Sequence, residues 1–293
     1  MRPAGGRPRR RFTINPGWLF VLPALAVLAV SVIIPIMAVV NYSVQDVFAG
    51  NNFFWAGSVW FEKTLRSPEF QATLLRSGAF SALVLMIEVP LGIYIALRMP
   101  RSGPLATTYL VMMAIPLLIP WFVVGLIWKS LADTHVGLYG VPLALLTQAY
   151  DLNNPVVAWI VVLLVDVWHW TSLVVLLCYA GLVAIPNAAY QAARIDGASR
   201  WAIFRYIELP GLQRVLLIVV LIRLMDSLMV YIEPFMITRG GPGVSTTFLS
   251  LDLIQTAMIQ FDFGEASAMA LVYFLITLSI SWVLYKIMMS RTS

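Results

Sequence analysis

The sequence predicts an all-α, polytopic membrane protein with six transmembrane helices. Three observations carry that prediction. Hydrophobic residues make up 60% of the 293 residues and charged residues only 11%, with a mean hydropathy of +0.86. Soluble domains carry roughly 25% charge, so this chain has too little polar surface to dissolve. The apolar residues form continuous runs, each long enough for a hydrocarbon core of about 30 Å. The basic residues gather in alternate connections between those runs.

The predicted spans are 17–40, 73–97, 105–131, 156–183, 211–232 and 266–289. Lipid offers no hydrogen bonds to an open backbone, so each is expected to be helical. Continuous apolar runs, rather than alternating ones, argue against a barrel. The first follows Arg9, Arg10 and Arg11 and has too long an apolar region for a signal peptide, so it is expected to be an uncleaved anchor. Residues 17–289 then form one membrane domain, with a basic tail at 1–16, a short tail at 290–293 and no run suited to a soluble enzyme domain. The single cysteine, Cys178, excludes an intramolecular disulfide and a cysteine-rich metal site.

Charge sets the expected orientation. Arg2, Arg7, Arg9, Arg10 and Arg11 precede span one, Arg98 and Arg101 follow span two, and Arg194, Arg200, Arg205 and Arg214 follow span four. Lys286 and Arg291 close the chain. The other connections hold Asp46, Glu62, Glu69, Asp133, Asp151, Asp252, Asp262 and Glu265. By the positive-inside rule both termini are cytoplasmic. The net charge of +5 then follows from topology and anionic lipid, without a nucleic-acid partner. Pro23, Pro35, Pro90, Pro116 and Pro120 fall within spans and favour kinks. They fit ordinary membrane-helix irregularity or a bundle bent around a cavity.

Between spans four and five lies a polar island, 191–210. A short helix is expected from Pro186 and Asn187, with Asn187 as its cap. Ala188, Ala189, Ala192 and Ala193 would turn outward, and Asp196 and Gly197 would stop the helix. Ser199 would cap a second helix that turns Trp201, Phe204 and Ile207 toward the bundle and is closed by Pro210. On physics alone this is equally an arginine-rich interfacial loop. Its spacing, however, resembles the "EAA" loop of ABC importer permeases. The matching positions are Ala192, Ala193, Asp196, Gly197, Ala198, Phe204, Ile207, Leu209 and Pro210. Gln191 stands where the family has its leading glutamate, and Arg214 where it has a later proline.

A second resemblance follows span five. The segment 238–247, Thr-Arg-Gly-Gly-Pro-Gly-Val-Ser-Thr-Thr, and then Gln260-Phe-Asp-Phe-Gly264 are similar to sugar-type importer permeases of the maltose and glycerol-phosphate class. The glycines are read as a turn, because a P-loop would end in Gly-Lys-Ser/Thr. The chain has no Walker sequence, so it is expected to bind no cofactor and to be no enzyme itself. The resemblance implies a type I importer permease fold in the bacterial cytoplasmic membrane. It also implies a second homologous permease, two ATPase subunits carrying ATP-Mg, and an extracytoplasmic solute-binding protein. Island 186–210, with Gln191 at its head, would be the ATPase-coupling surface, and alternating access the mechanism.

Inside the spans, charges are costly and face protein or a wet path. Glu88, Asp166, Arg223, Asp226 and Glu233 are the candidates. Arg223 and Asp226, three apart, could be a local ion pair. Asp166, Trp168, His169 and Trp170 could bind hydroxyls and pack on the C–H face of a sugar or polyol. The same tryptophans could equally be interface anchors and His169 an interhelical contact. Tyr231 and Glu233 could line the path, and Glu233-Pro-Phe235 resembles polyol and glycerol importers. A stand-alone ion-coupled carrier using Glu88, Asp166 or Glu233 is the competing expectation. An intramembrane enzyme is disfavoured, since His135 and His169 lie apart and no nucleophile–base pair is evident.

Overall fold

The computed structural model describes residues 17–48, 52–147 and 150–290. The basic tail 1–16 and residues 291–293, with Arg291, lie outside the described residues. Helix α1 (Gly17–Tyr42) is continuous through Pro23 and Pro35. It packs on the last helix of the chain, yet leaves residues such as Val27 and Met37 exposed. A helix that is apolar all round needs lipid or another subunit against it. Two short antiparallel strands, β1 (Gln45–Phe48) and β2 (Asn52–Trp55), depart from the all-α expectation and make a small hairpin. Helix α2 (Val59–Arg66) follows.

The centre of the bundle is α3 (Pro68–Arg98) packed against α7 (Pro155–Val183). Each begins with a proline at a position where a missing N–H costs nothing. Each is also capped by a side chain: Ser67 Oγ accepts from Phe70 N–H, and Asn154 Oδ1 accepts from Val156 N–H. The two backbones approach closely at Gly92, where a Cβ would sit 2.4 Å from Val174 Cγ1. Glycine is what permits that crossing.

The third predicted span, 105–131, is not one helix. It divides into α4 (Pro104–Leu118) and α5 (Trp121–Ala132), bent by 92°. Ile119 is extended, at φ −80° and ψ 124°, as the residue before a proline tends to be. Pro120 therefore ends the helix, whereas Pro90 stays inside an unbroken α3. After α6 (Gly140–Thr147), Tyr150 Oη donates to Ala132 O at 2.9 Å.

Beyond α7 come α8 (Asn187–Ile195), α9 (Arg200–Ile203), a wide π-helical turn over Phe204–Glu208, and α10 (Leu209–Leu228). Span five, expected over 211–232, thus ends at Leu228. The chain leaves helical geometry at Met229 and re-enters it in α11 (Ile232–Ile237). A further helix, α12 (Leu249–Met258), precedes α13 (Phe263–Ser290). Among the described residues, five helices or helical runs are long and apolar enough to cross a membrane, and the α4–α5 pair makes a sixth when it is counted as one bent span.

Contacts group the connections at two ends. Lys63 Nζ pairs with Glu265 Oε2 at 2.6 Å, Thr73 Oγ1 donates to Asp252 Oδ2 at 3.4 Å, and Trp159 Nε1 donates to Ser245 O at 2.7 Å. At the opposite end Tyr179 Oη donates to Pro100 O at 2.9 Å, beside the arginine-rich island.

Candidate functional site

Arg223 on α10 is completely buried and holds three helices together. Its Nε and Nη2 meet the two Glu88 oxygens of α3 at 2.7 and 3.1 Å. Nη2 also reaches Asp166 Oδ1 of α7 at 2.6 Å, and Nη1 reaches Asp226 Oδ2 at 2.5 Å. The guanidinium lies 4.7 Å from the Trp170 ring centre. The local Arg223–Asp226 pair is present, but it is one arm of a larger cluster. Such a fork suits arginine's planar set of donors.

Next to this cluster is a cavity of about 130 Å³ lined by Trp121, Asp166, Trp170, Asp226, Tyr231 and Glu233. Two helix breaks converge on it. Trp121 is the first residue after the α4–α5 bend, and Tyr231 sits in the α10–α11 break. The Trp121 and Trp170 rings meet edge to face at 5.4 Å, and Tyr231 stacks on Phe235 at 5.3 Å. The cavity therefore combines aromatic rings with carboxylate oxygens, a surface suited to C–H and O–H groups together.

The structure brings Asp166, Trp170, Asp226, Tyr231 and Glu233 together as the sequence suggested. It does not bring Trp168 or His169 to the cavity. Trp168 points away, 40% exposed, and packs on Trp128 at 5.6 Å. Consecutive helical residues diverge by about 100°, so a run of four cannot share one face. His169 is buried edge-on against Trp170 at 5.1 Å, and its ring nitrogens make no hydrogen bond among the described residues. Trp121 was missed; the nearby proline pair was the signal that could have found it.

At the arginine-rich end, the N-cap of α8 is Pro186, and Asn187 is already inside the helix. Ala188 and Ala192 face outward with Gln191, but Ala193 is buried. The expected stop is present. Ala198 N–H donates to Ala193 O at 2.9 Å, with Gly197 at φ +67°, the left-handed form that ends many helices. Ser199 Oγ accepts from Ala202 N–H at 3.2 Å.

Two further expectations fail there. Trp201 is 70% exposed rather than turned inward, although it touches Phe204 at 5.5 Å. Pro210 closes nothing: the helix runs through it into α10. In the π turn just before Pro210, Leu209 N–H reaches back five residues to Phe204 O.

Glu208, fully buried in that turn, was also missed. Its Oε1 accepts from Arg101 Nη2 at 3.4 Å and Arg200 Nη1 at 3.2 Å. Arg101 stacks over the Tyr190 ring at 3.8 Å. A groove of about 380 Å³ between these groups is also lined by Gln191 and Arg194.

The segment 238–247 forms a compact turn. Thr238 Oγ1 donates to Pro234 O at 2.8 Å, and Thr247 Oγ1 donates to Gly240 O at 3.0 Å.

Comparison with known proteins places this geometry. Residues 88–291 match the family model described as "Binding-protein-dependent transport system inner membrane component". The chain belongs to this family. It is 32% identical over 278 residues to the trehalose/maltose transport system permease protein MalF of Thermococcus litoralis, covering 92% of each. It is 30% identical to the sulfoquinovosyl glycerol transport system permease protein SmoG of Agrobacterium fabrum, over 72% of this chain and 70% of that one. A bacterial alginate ABC transporter, solved with an alginate-bound periplasmic protein, contains a chain of the same fold. The TM-score is 0.81 over 94% of each chain, at 18% identity. This protein is accordingly an inner-membrane permease subunit with the type I importer fold, a non-catalytic component of an ABC transporter. A binding-protein-dependent component is not a stand-alone ion-coupled carrier, and that expectation is set aside.

Proposed function

We propose that this permease forms half of the path of an ATP-driven importer for a sugar or polyol, with a glycerol-sized solute favoured. The observation that carries this is the convergence of two helix breaks on the cavity of Asp166, Trp170, Asp226, Tyr231 and Glu233. The relatives that transport trehalose, maltose or sulfoquinovosyl glycerol support the solute class, and the small volume supports a short polyol. A second permease completes the path, an extracytoplasmic binding protein delivers solute, and two ATPase subunits hold ATP-Mg. Both termini lie in the cytoplasm, which puts the arginine-rich end on the ATPase side.

Helix α8 with the Asp196–Gly197 turn is the docking surface. Gln191, Ala192, Asp196 and Gly197 are exposed on it, and Ile195 is 85% exposed at its tip. Such a large apolar side chain in solvent suits a protein partner. Neutral Gln191 would give a weaker contact than the charge-assisted one a glutamate makes. Closure of the ATPases would shift the bundle between inward and outward forms by binding one form better.

Purification in mild detergent should recover an ATPase and a second six-span chain; recovery of this chain alone would refute the assembly. Gly197→Val should then separate ATP hydrolysis from uptake in the reconstituted complex. The left-handed conformation costs a side chain about 1–2 kcal/mol, while the added Cβ meets nothing within 4 Å, so insertion should be normal. Coupled transport at the native rate in that variant would refute the docking assignment. For the cavity, Asp166→Ala should weaken uptake; unchanged uptake and apparent affinity would refute its place in the path.

A further inference from the structure

The charge balance of the cavity points to a particular chemistry of solute, and this rests on the cavity being part of the solute path. Asp166, Asp226 and Glu233 all face it. The cation beside them, Arg223, is engaged on every arm: Nε on Glu88, Nη2 on Glu88 and Asp166, and Nη1 on Asp226. Glu233 is only 5% exposed and makes no ion pair or side-chain hydrogen bond with another described residue. Three carboxylates, Glu88, Asp166 and Asp226, therefore take up one guanidinium, and Glu233 lines the same cavity outside those pairs. A buried carboxylate without a counter-charge is unfavourable, and the interior strengthens its attraction for a cation and its repulsion of an anion.

The aromatic lining acts in the same sense. Indole faces attract cations, and Trp170 already has Arg223 over its ring. Trp121, 43% exposed and set edge to face with Trp170, adds a second indole to the lining.

We infer that this cavity is a selectivity site for a small polyhydroxylated solute bearing an amino group. Glu233 receives the ammonium, the carboxylate of Asp226 assists, and the indole rings pack on the carbon skeleton. The same arrangement opposes acidic sugars and polyol acids.

The test uses the assembled transporter in lipid nanodiscs without its binding protein, so that protein's own selectivity does not enter. Equilibrium dialysis compares three labelled solutes of one size: 3-aminopropane-1,2-diol, glycerol and glycerate. The aminodiol should bind about tenfold or more tighter than glycerol, as one charge-assisted contact gives, and glycerate should bind weaker than glycerol. Glu233→Gln should bring the aminodiol down to the level of glycerol, and a monodisperse size-exclusion profile of the assembled variant shows that it is folded. Asp226→Asn should lower it by less, because Arg223 already offsets Asp226.

The proposal is overturned if glycerate matches the aminodiol, if the preference survives Glu233→Gln, or if none of the three solutes binds. If glycerol and the aminodiol bind equally and Trp170→Ala abolishes both, the amino-group assignment falls and the solute path stands. If both still bind after Trp170→Ala, the path reading falls as well.

Discussion

Replacing Arg223 with methionine should be the most damaging single change in the bundle. Methionine keeps most of the length of the side chain and removes four N–O contacts of 2.5–3.1 Å to Glu88, Asp166 and Asp226. Glu88 and Asp166 are fully buried, and the structure offers them no other cation among the described residues. Breaking a buried pair by removing one partner costs about 3–5 kcal/mol, and about 1.4 kcal/mol is tenfold in an equilibrium. The folded fraction near the transition should therefore fall by a hundredfold or more. Arg223→Lys keeps the charge but cannot fork to three carboxylates, so it should lie between wild type and Arg223→Met. The triple change Glu88→Gln, Asp166→Asn and Arg223→Met neutralises every fully buried member of the cluster and leaves only Asp226, whose side chain is 27% exposed. The triple variant no longer buries the uncompensated carboxylates that Arg223→Met leaves behind, so it should recover part of the loss. Heating each variant in detergent and measuring the monodisperse fraction gives the ranking. Arg223→Met as heat-resistant as wild type, or a triple variant no better than Arg223→Met, would sink the account.

Two further expectations concern packing and pH. Gly92→Ala places a methyl 2.4 Å from Val174 Cγ1 and 2.7 Å from its Cβ, so α3 and α7 must separate at a cost of about 1–3 kcal/mol. Adding Val174→Ala should restore only part of that stability, and full wild-type stability in Gly92→Ala alone would show that the crossing is loose. Burial first, and then the negative charge of Glu69, push the Asp252 carboxyl up to about 6. Between about pH 4 and 6 the folded chain therefore binds more protons than the unfolded one, and stability falls as pH rises through that window. Asp252→Asn should flatten this part of the thermal-stability profile; an unchanged slope would assign it to another group.

The long apolar helices were legible because length and composition alone define them: α1, α3, α7 and α13 lie close to their predicted limits. The breaks were not. Pro90 and Pro120 are the same residue type, but Pro90 is held in a helix packed on α7 and α10, while Ile119 before Pro120 takes extended backbone. Packing decides between those outcomes, and it is invisible in a local window. For the same reason the sequence suggested Arg223–Asp226, three residues apart, but not Glu88–Arg223, which are 135 apart. The Asp196–Gly197 turn was readable because its signal is local, a glycine where φ must be positive. Trp201 was misjudged because spacing gives a stripe of side chains but not the side on which the bundle lies.

The wide turn at Phe204–Glu208 has a mechanical consequence. Because the helix passes through Pro210 without interruption, Arg200 and Arg223 sit on one stiff lever about 35 Å apart at 1.5 Å per residue. Its outer end is fastened by Glu208 to Arg101 on the neighbouring connection, close to where it emerges from the bundle. A sideways load on α9 therefore acts about that fastening as a fulcrum and swings the far end the opposite way. That far end carries the guanidinium clasping α3 and α7, and just beyond it the break that forms the cavity wall. Under the proposed docking on α8, a load would reach this lever across the Asp196–Gly197 turn, and a few degrees of tilt of α9 would then displace the cavity wall.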